Sequence, residues 1–149
     1  MTEKGFAVQG LGEIAIRCID FDAMITFYRD VIGLAPFNDP RGGDIAFFRI
    51  SEGVAGHTAV LALFRHDIAA AGGVEAAKVP PRTGPASSLH HLALSLPWAE
   101  QDAVIAWYER LKQPYNIQRF DWVGWRGIFT QDPDGNTVEL VAKDPQWRP

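Results

Sequence analysis

The chain has 149 residues, 47% of them hydrophobic and 21% charged, a balance suited to one compact domain that buries about two-thirds of its unfolded surface. A formal net charge of −4 and the lack of any basic run exclude a nucleic-acid-binding surface. The single cysteine, Cys18, excludes an intrachain disulfide framework, and the first residues, Met-Thr-Glu-Lys-Gly, lack the order of a signal peptide and precede no long apolar stretch, so a soluble cytoplasmic protein with no membrane partner is expected.

In chain order, Leu11 to Cys18 alternates as a strand, sending Ile14, Ile16 and Cys18 to the core and Glu13, Ala15 and Arg17 to the opposite face. Asp20 or Asp22 is placed to cap a helix with the buried stripe Met24, Phe27, Tyr28 and Val31, and Gly33 is placed to end it. Turn residues crowd Asn38 to Gly43, and the run Ile45 to Ile50 then reads as a strand. Gly56 announces the next strand, which passes through Val60. Residues 67–87 read as a linker, with two Ala-rich turns of possible helix followed by a Pro- and Ser-rich stretch.

Leu89 to Leu96 then repeats the opening strand, with Leu92, Leu94 and Leu96 inward and His91, Ala93 and Ser95 on the other face. The next helix carries the stripe Val104, Trp107, Tyr108 and Leu111, and strands are expected over 115–121 and 125–130. A tight turn, Asp132-Pro-Asp-Gly135, introduces a final strand with Thr137, Glu139 and Val141 on the side away from the core. The chain thus states one β-α-β-β-β order twice, over residues 10–66 and 88–145. A duplicated unit of this kind implies a pseudo-twofold domain with a cleft between its halves.

Parity places Glu13, His91 and Glu139 on cavity-facing positions of three strands. One imidazole and two carboxylates suit a divalent cation such as Mn, Fe, Ni or Zn, with positions left open for water or substrate. The bland alternative pairs the carboxylates with Arg17 and leaves His91 bonded to a carbonyl. Arg17 is the candidate anion clamp, and Phe48 (or its neighbour Phe47), Trp122, Trp125 and Phe129 are candidates to line an apolar, aromatic substrate pocket. Cys18, His66 and His90 read as core or surface residues, and His57 points away from the cleft.

Phe27 to Leu34, Leu89 to Ala93 and, most specifically, Asp132-Pro-Asp-Gly-Asn-Thr-Val-Glu-Leu140 resemble the vicinal oxygen chelate superfamily of glyoxalases, extradiol dioxygenases and bleomycin resistance proteins. The resemblance implies an α+β fold of two tandem βαβββ modules forming a curved mixed sheet around a metal cleft, often completed by a second subunit, so a homodimer is expected. It also implies metal ligation by Glu13, His91 and Glu139, with Glu139 or Glu13 as the catalytic base. Two departures stand out. Glu13 occupies the place of a usual histidine, and Val60 aligns with the glutamate that four-ligand members carry. The expected function is a divalent-metal enzyme acting on a small oxygen-chelating substrate by lyase, isomerase or dioxygenase chemistry; the alternative is a metal-free protein that binds a drug or aromatic metabolite.

Overall fold

Alternating and near-continuous apolar runs become strands, and the two 3.6-period stripes become helices, in the order β1 (Glu13–Cys18), α1 (Phe21–Thr26), β2 (Ala35–Pro36), β3 (Ile45–Glu52), β4 (Thr58–Arg65), β5 (Leu92–Ser95), α2 (Gln101–Leu111), β6 (Asn116–Phe120), β7 (Trp125–Gln131) and β8 (Thr137–Lys143). The structure is a computed structural model that describes residues 3–39, 43–69 and 72–149. The centre of the turn expected over 38–43 lies outside the described residues. In the linker the described residues hold no helix before the short turn at Gly84–Ala86; the first of the two Ala-rich turns lies partly outside the described residues, and the second, around Ala76 and Ala77, is not helical.

Each half forms a four-stranded sheet, with orders β1-β4-β3-β2 and β5-β8-β7-β6. In both, the first strand lies parallel to the last and the remaining neighbours are antiparallel. The register corrects the alignment of the repeat. Glu13 pairs with Val60 and Ala15 with Ala62, whereas Ala93 pairs with Glu139. Because Ala15 and Ala93 are equivalent, the counterpart of Glu139 in the first sheet is Ala62, not Val60.

Asp20 caps α1, its carboxylate accepting from Ala23 N at 3.0 Å. The helix then widens into one π-helical turn over Phe27–Val31, closed by Ile32 N donating to Phe27 O at 3.0 Å. Both Phe27 and Tyr28 are buried there. Gly33 leaves the helix with φ of 87°, a conformation that costs a side chain-bearing residue strain. In α2 the expected stripe is only half realised: Tyr108 is fully buried, while Trp107 and Leu111 are exposed. Trp107 instead lies across to α1, its Nε1 donating to Val31 O at 3.0 Å.

One hydrophobic cluster contains the inward faces of both sheets and both helices, from Ile16, Met24 and Leu61 to Leu94, Tyr108 and Val138. The halves therefore pack through their helix-covered sides, and the opposite faces of the two sheets look outward. Cys18 is part of this cluster, and burial pushes its thiol far above the ordinary range, so it is a core residue without nucleophilic character. No described helix is long and apolar enough to cross a membrane.

The turn before β8 fastens the halves together. Asp134 accepts from Ile19 N at 2.6 Å and Asp20 N at 2.9 Å, at the start of α1. Asp132, itself buried, accepts from the hydroxyl of Tyr28 at 2.9 Å. The motif that shapes the hairpin is thus also the clamp between the two halves.

Candidate functional site

The outward face of the second sheet is built by alternation. On β8 it presents Thr137, Glu139 and Val141, and on β7 the residues opposite them are Gln131, Phe129 and Gly127. Most of the polar groups on this face meet solvent, but Glu139 is only 5% exposed. The reason is Gly127, which faces it diagonally: a Cβ there would collide with Glu139 Oε1 and stand 2.7 Å from Phe129 Cε2. The missing side chain leaves the notch that the carboxylate occupies, a use of glycine within a strand that a close approach requires.

His91 lies just before β5. Its Nε2 stands 3.1 Å from Glu139 Oε2, its ring meets Phe129 edge to face at 6.0 Å, and its Nδ1 is 2.7 Å from Nδ1 of His90. Burial pushes the carboxyl of Glu139 above the usual range, and His91 pulls it partly back. A group whose folded-state pKa is raised contributes stability at low pH that is lost as pH rises through that pKa. Glu139→Gln is therefore expected to stabilise the metal-free protein by about 1 kcal/mol, roughly 2–4 °C in Tm, and to reduce the loss of stability between the carboxylate range and neutrality. Thermal melts across that interval decide it; a variant that melts lower than the parent at neutral pH sinks the claim.

The other predicted residues lie elsewhere. Glu13 is on the outward face of the first sheet, in a cleft of about 380 Å³ with Phe37, Phe47, His57 and Val60. Among the described residues, no three His, Cys, Asp or Glu side chains come together in a way that could hold an ion. The chain thus brings His91 and Glu139 together and keeps Glu13 apart, because the two outward faces do not look at each other. His57, expected to point away, shares the cleft of Glu13. Arg17 is also on the first sheet's outward face, lining a cleft with Glu13 and Phe64 and donating to Glu75 O at 3.5 Å.

Phe48 is a correction. It is fully buried in the core, opposite Leu61, because parity turns it toward the helices. Phe47 faces outward and is the register counterpart of Phe129. Phe129 and Trp125 lie on the second sheet's outward face, whereas Trp122 stands in the turn after β6, 78% exposed and tilted against Trp125 at 6.5 Å. Reading of the sequence passed over Gly127; an isolated glycine in an otherwise apolar strand is the signal that would have exposed it. His90, expected at the surface, is exposed.

The duplicated βαβββ order and the two four-stranded sheets define a class of fold, and the comparisons with known proteins agree on it. The chain belongs to the glyoxalase/bleomycin resistance protein/dioxygenase superfamily, whose family model matches residues 10–140. Among solved structures it is similar to a lactoylglutathione lyase from Agrobacterium tumefaciens, at 26% identity and TM-score 0.64 over 91% of this chain and 94% of that one. It is also similar to a glyoxalase/dioxygenase from Nostoc punctiforme, at 20% identity and TM-score 0.68 over 97% and 99%. The fosfomycin resistance protein FosX from Listeria monocytogenes matches at 17% identity and TM-score 0.62 over 96% and 100%. No curated protein matches the chain.

Proposed function

We propose that the protein is a divalent-metal-dependent enzyme acting on a small oxygen-chelating molecule, with His91 and Glu139 as two ligands of the ion. The observation that supports this most is the Glu139 carboxylate, buried in a notch that Gly127 leaves for it, with Oε2 3.1 Å from Nε2 of His91. A buried carboxylate is costly without a strong partner, and this one stands beside an imidazole nitrogen with solvent on the far side. The nitrogen and oxygen donors suit Mn, Fe, Ni or Zn. A FosX variant similar to this chain, at 15% identity and TM-score 0.64, is described in complex with Mn(II) and a dihydroxypropylphosphonic acid.

Glu13 completes the site from a second copy of the chain in this reading. Both outward faces are open, and β1 and β5 are edge strands, so a twofold dimer sets the first sheet of one copy against the second sheet of its partner and forms two equivalent clefts. The bound ion would supply Lewis-acid polarisation of vicinal substrate oxygens. Glu139, when displaced from the ion by substrate, is suited to take a proton from it, Arg17 to hold an anionic group, and Phe129, Trp125 and Trp122 to cover the organic part. The bleomycin-resistance type of function, a metal-free binder stacking its ligand on the Trp122 and Trp125 pair, is the competing outcome.

The test is elemental analysis of tag-free protein after separate exposure to Mn, Fe, Ni and Zn. Near-stoichiometric metal that His91→Ala abolishes is the expected result. Mixing Glu13→Ala with His91→Ala protein should then restore about a quarter of the sites, because half of randomly exchanged dimers are mixed and each holds one intact cleft. No retained metal, or binding indifferent to His91, overturns the metal reading.

A further inference from the structure

We propose that His90 is a positioning residue that holds the ring of His91 with Nε2 turned to Glu139, in both the metal-free and the metal-bound protein; the metal-bound half of this inference rests on the function proposed above. Adjacent residues of a regular strand point to opposite faces. Here the pair lies before β5 begins at Leu92, on a segment tied back by Leu89 N donating to the Ser87 hydroxyl at 3.0 Å. That departure from strand geometry lets the two rings meet edge to face at 5.0 Å, with Nδ1 against Nδ1 at 2.7 Å.

Two ring nitrogens at that distance share one proton, so one donates and the other accepts. His91 Nε2 faces Glu139 at 3.1 Å, and because a carboxylate only accepts, the proposal puts the proton of the neutral ring on Nε2. In the neutral ring, Nδ1 then offers its lone pair, and His90 donates Nδ1–H to it. When Nε2 is instead a ligand, the proton of His91 belongs on Nδ1, and His90 accepts it, keeping its own proton on Nε2. A backbone carbonyl or a carboxylate, the common partners of a ligating histidine, only accepts and supports the second state alone. His90 supports both without moving the ring, because an imidazole exchanges its donor and acceptor nitrogens at no cost in geometry.

The experiment compares the full chain with His90→Ala and His90→Asn, whose amide also donates and accepts. Two measurements are made: Mn(II) and Ni(II) titration by calorimetry, and the nitrogen NMR signals of the His91 ring in metal-free protein. The expected result is a single His91 tautomer protonated at Nε2 in the parent, a tautomer mixture in His90→Ala, and about a 10–100-fold weaker metal affinity in that variant, largely recovered in His90→Asn. Unchanged ring signals in His90→Ala overturn the inference, as does unchanged affinity where the parent binds metal. A parent that binds no metal overturns the proposed function, and the ring signals alone then decide the role of His90.

Discussion

Asp132→Ala is expected to cost roughly 3–5 kcal/mol of stability, because one buried carboxylate satisfies four donors and the substitution leaves them without an acceptor. Its Oδ1 accepts from Asp134 N at 3.0 Å and Asn136 N at 2.9 Å; its Oδ2 accepts from Asn136 Nδ2 and from the Tyr28 hydroxyl, both at 2.9 Å. The first three hold the turn, and the fourth crosses to the other half of the chain. Burial raises the Asp132 carboxyl, while Asn136 and Tyr28 draw it down, so the group is satisfied rather than comfortable. Tyr28→Phe removes one bond and leaves the other three, and should cost about 1 kcal/mol. In urea unfolding, the double variant should be less destabilised than the two single losses added together. Strict additivity would show that the hydroxyl and the carboxylate do not act as a pair, and the clamp would then reduce to the two Asp134 bonds.

The duplicate half shows why this clamp is one-sided. Tyr108 repeats Tyr28 in sequence and is as deeply buried, yet among the described residues its hydroxyl has no hydrogen-bond partner, and burial lifts its pKa to about 12. Past Arg49, the counterpart of Gln131, the first half has a bulge between Arg49 and Ser51 that holds Ile50, so no carboxylate stands where the second half has Asp132. The sequence carried both facts, since Tyr28, Tyr108, Ile50 and Asp132 are all visible in it, but the pairing follows from how the halves pack. Alternation made the inward faces of β1, β5 and β8 legible residue by residue. It gave the face of Glu13, His91 and Glu139 correctly as well. What it did not contain is which face of one half meets the other, and so the convergence of Glu13 with His91 and Glu139 in one chain did not follow. Phe47 and Phe48 show the same limit on a smaller scale: a run apolar on both faces does not say which phenylalanine turns inward until β3 is set against β4. Trp107 and Leu111 fit a helical stripe, but the seam of α2 is narrower than the stripe because Gln101 takes the place beside the sheet, donating to Arg126 O at 2.7 Å and Leu140 O at 3.3 Å.

Gly127→Ala tests the notch, the feature of the site least visible in the sequence. The added methyl must displace either the Glu139 carboxylate or the Phe129 ring, and overpacking of this kind costs about 1–3 kcal/mol. Displacing the carboxylate takes the partner of His91 away, and in the metal site proposed above affinity is expected to fall by about 10–100-fold, the range seen when the shell around a ligand is disturbed. The first sheet supplies the control. At the positions equivalent to Gly127 and Glu139 it carries Ile45 and Ala62: the large and small residues are exchanged, and no carboxylate is present. Gly127→Ile combined with Glu139→Ala copies that pair into the second sheet. The double variant should recover the stability that Gly127→Ala loses while binding no metal. If Gly127→Ala keeps full metal affinity, the notch does not position Glu139; if the double variant is no more stable than the single one, the two sheets do not fill this space in the same way.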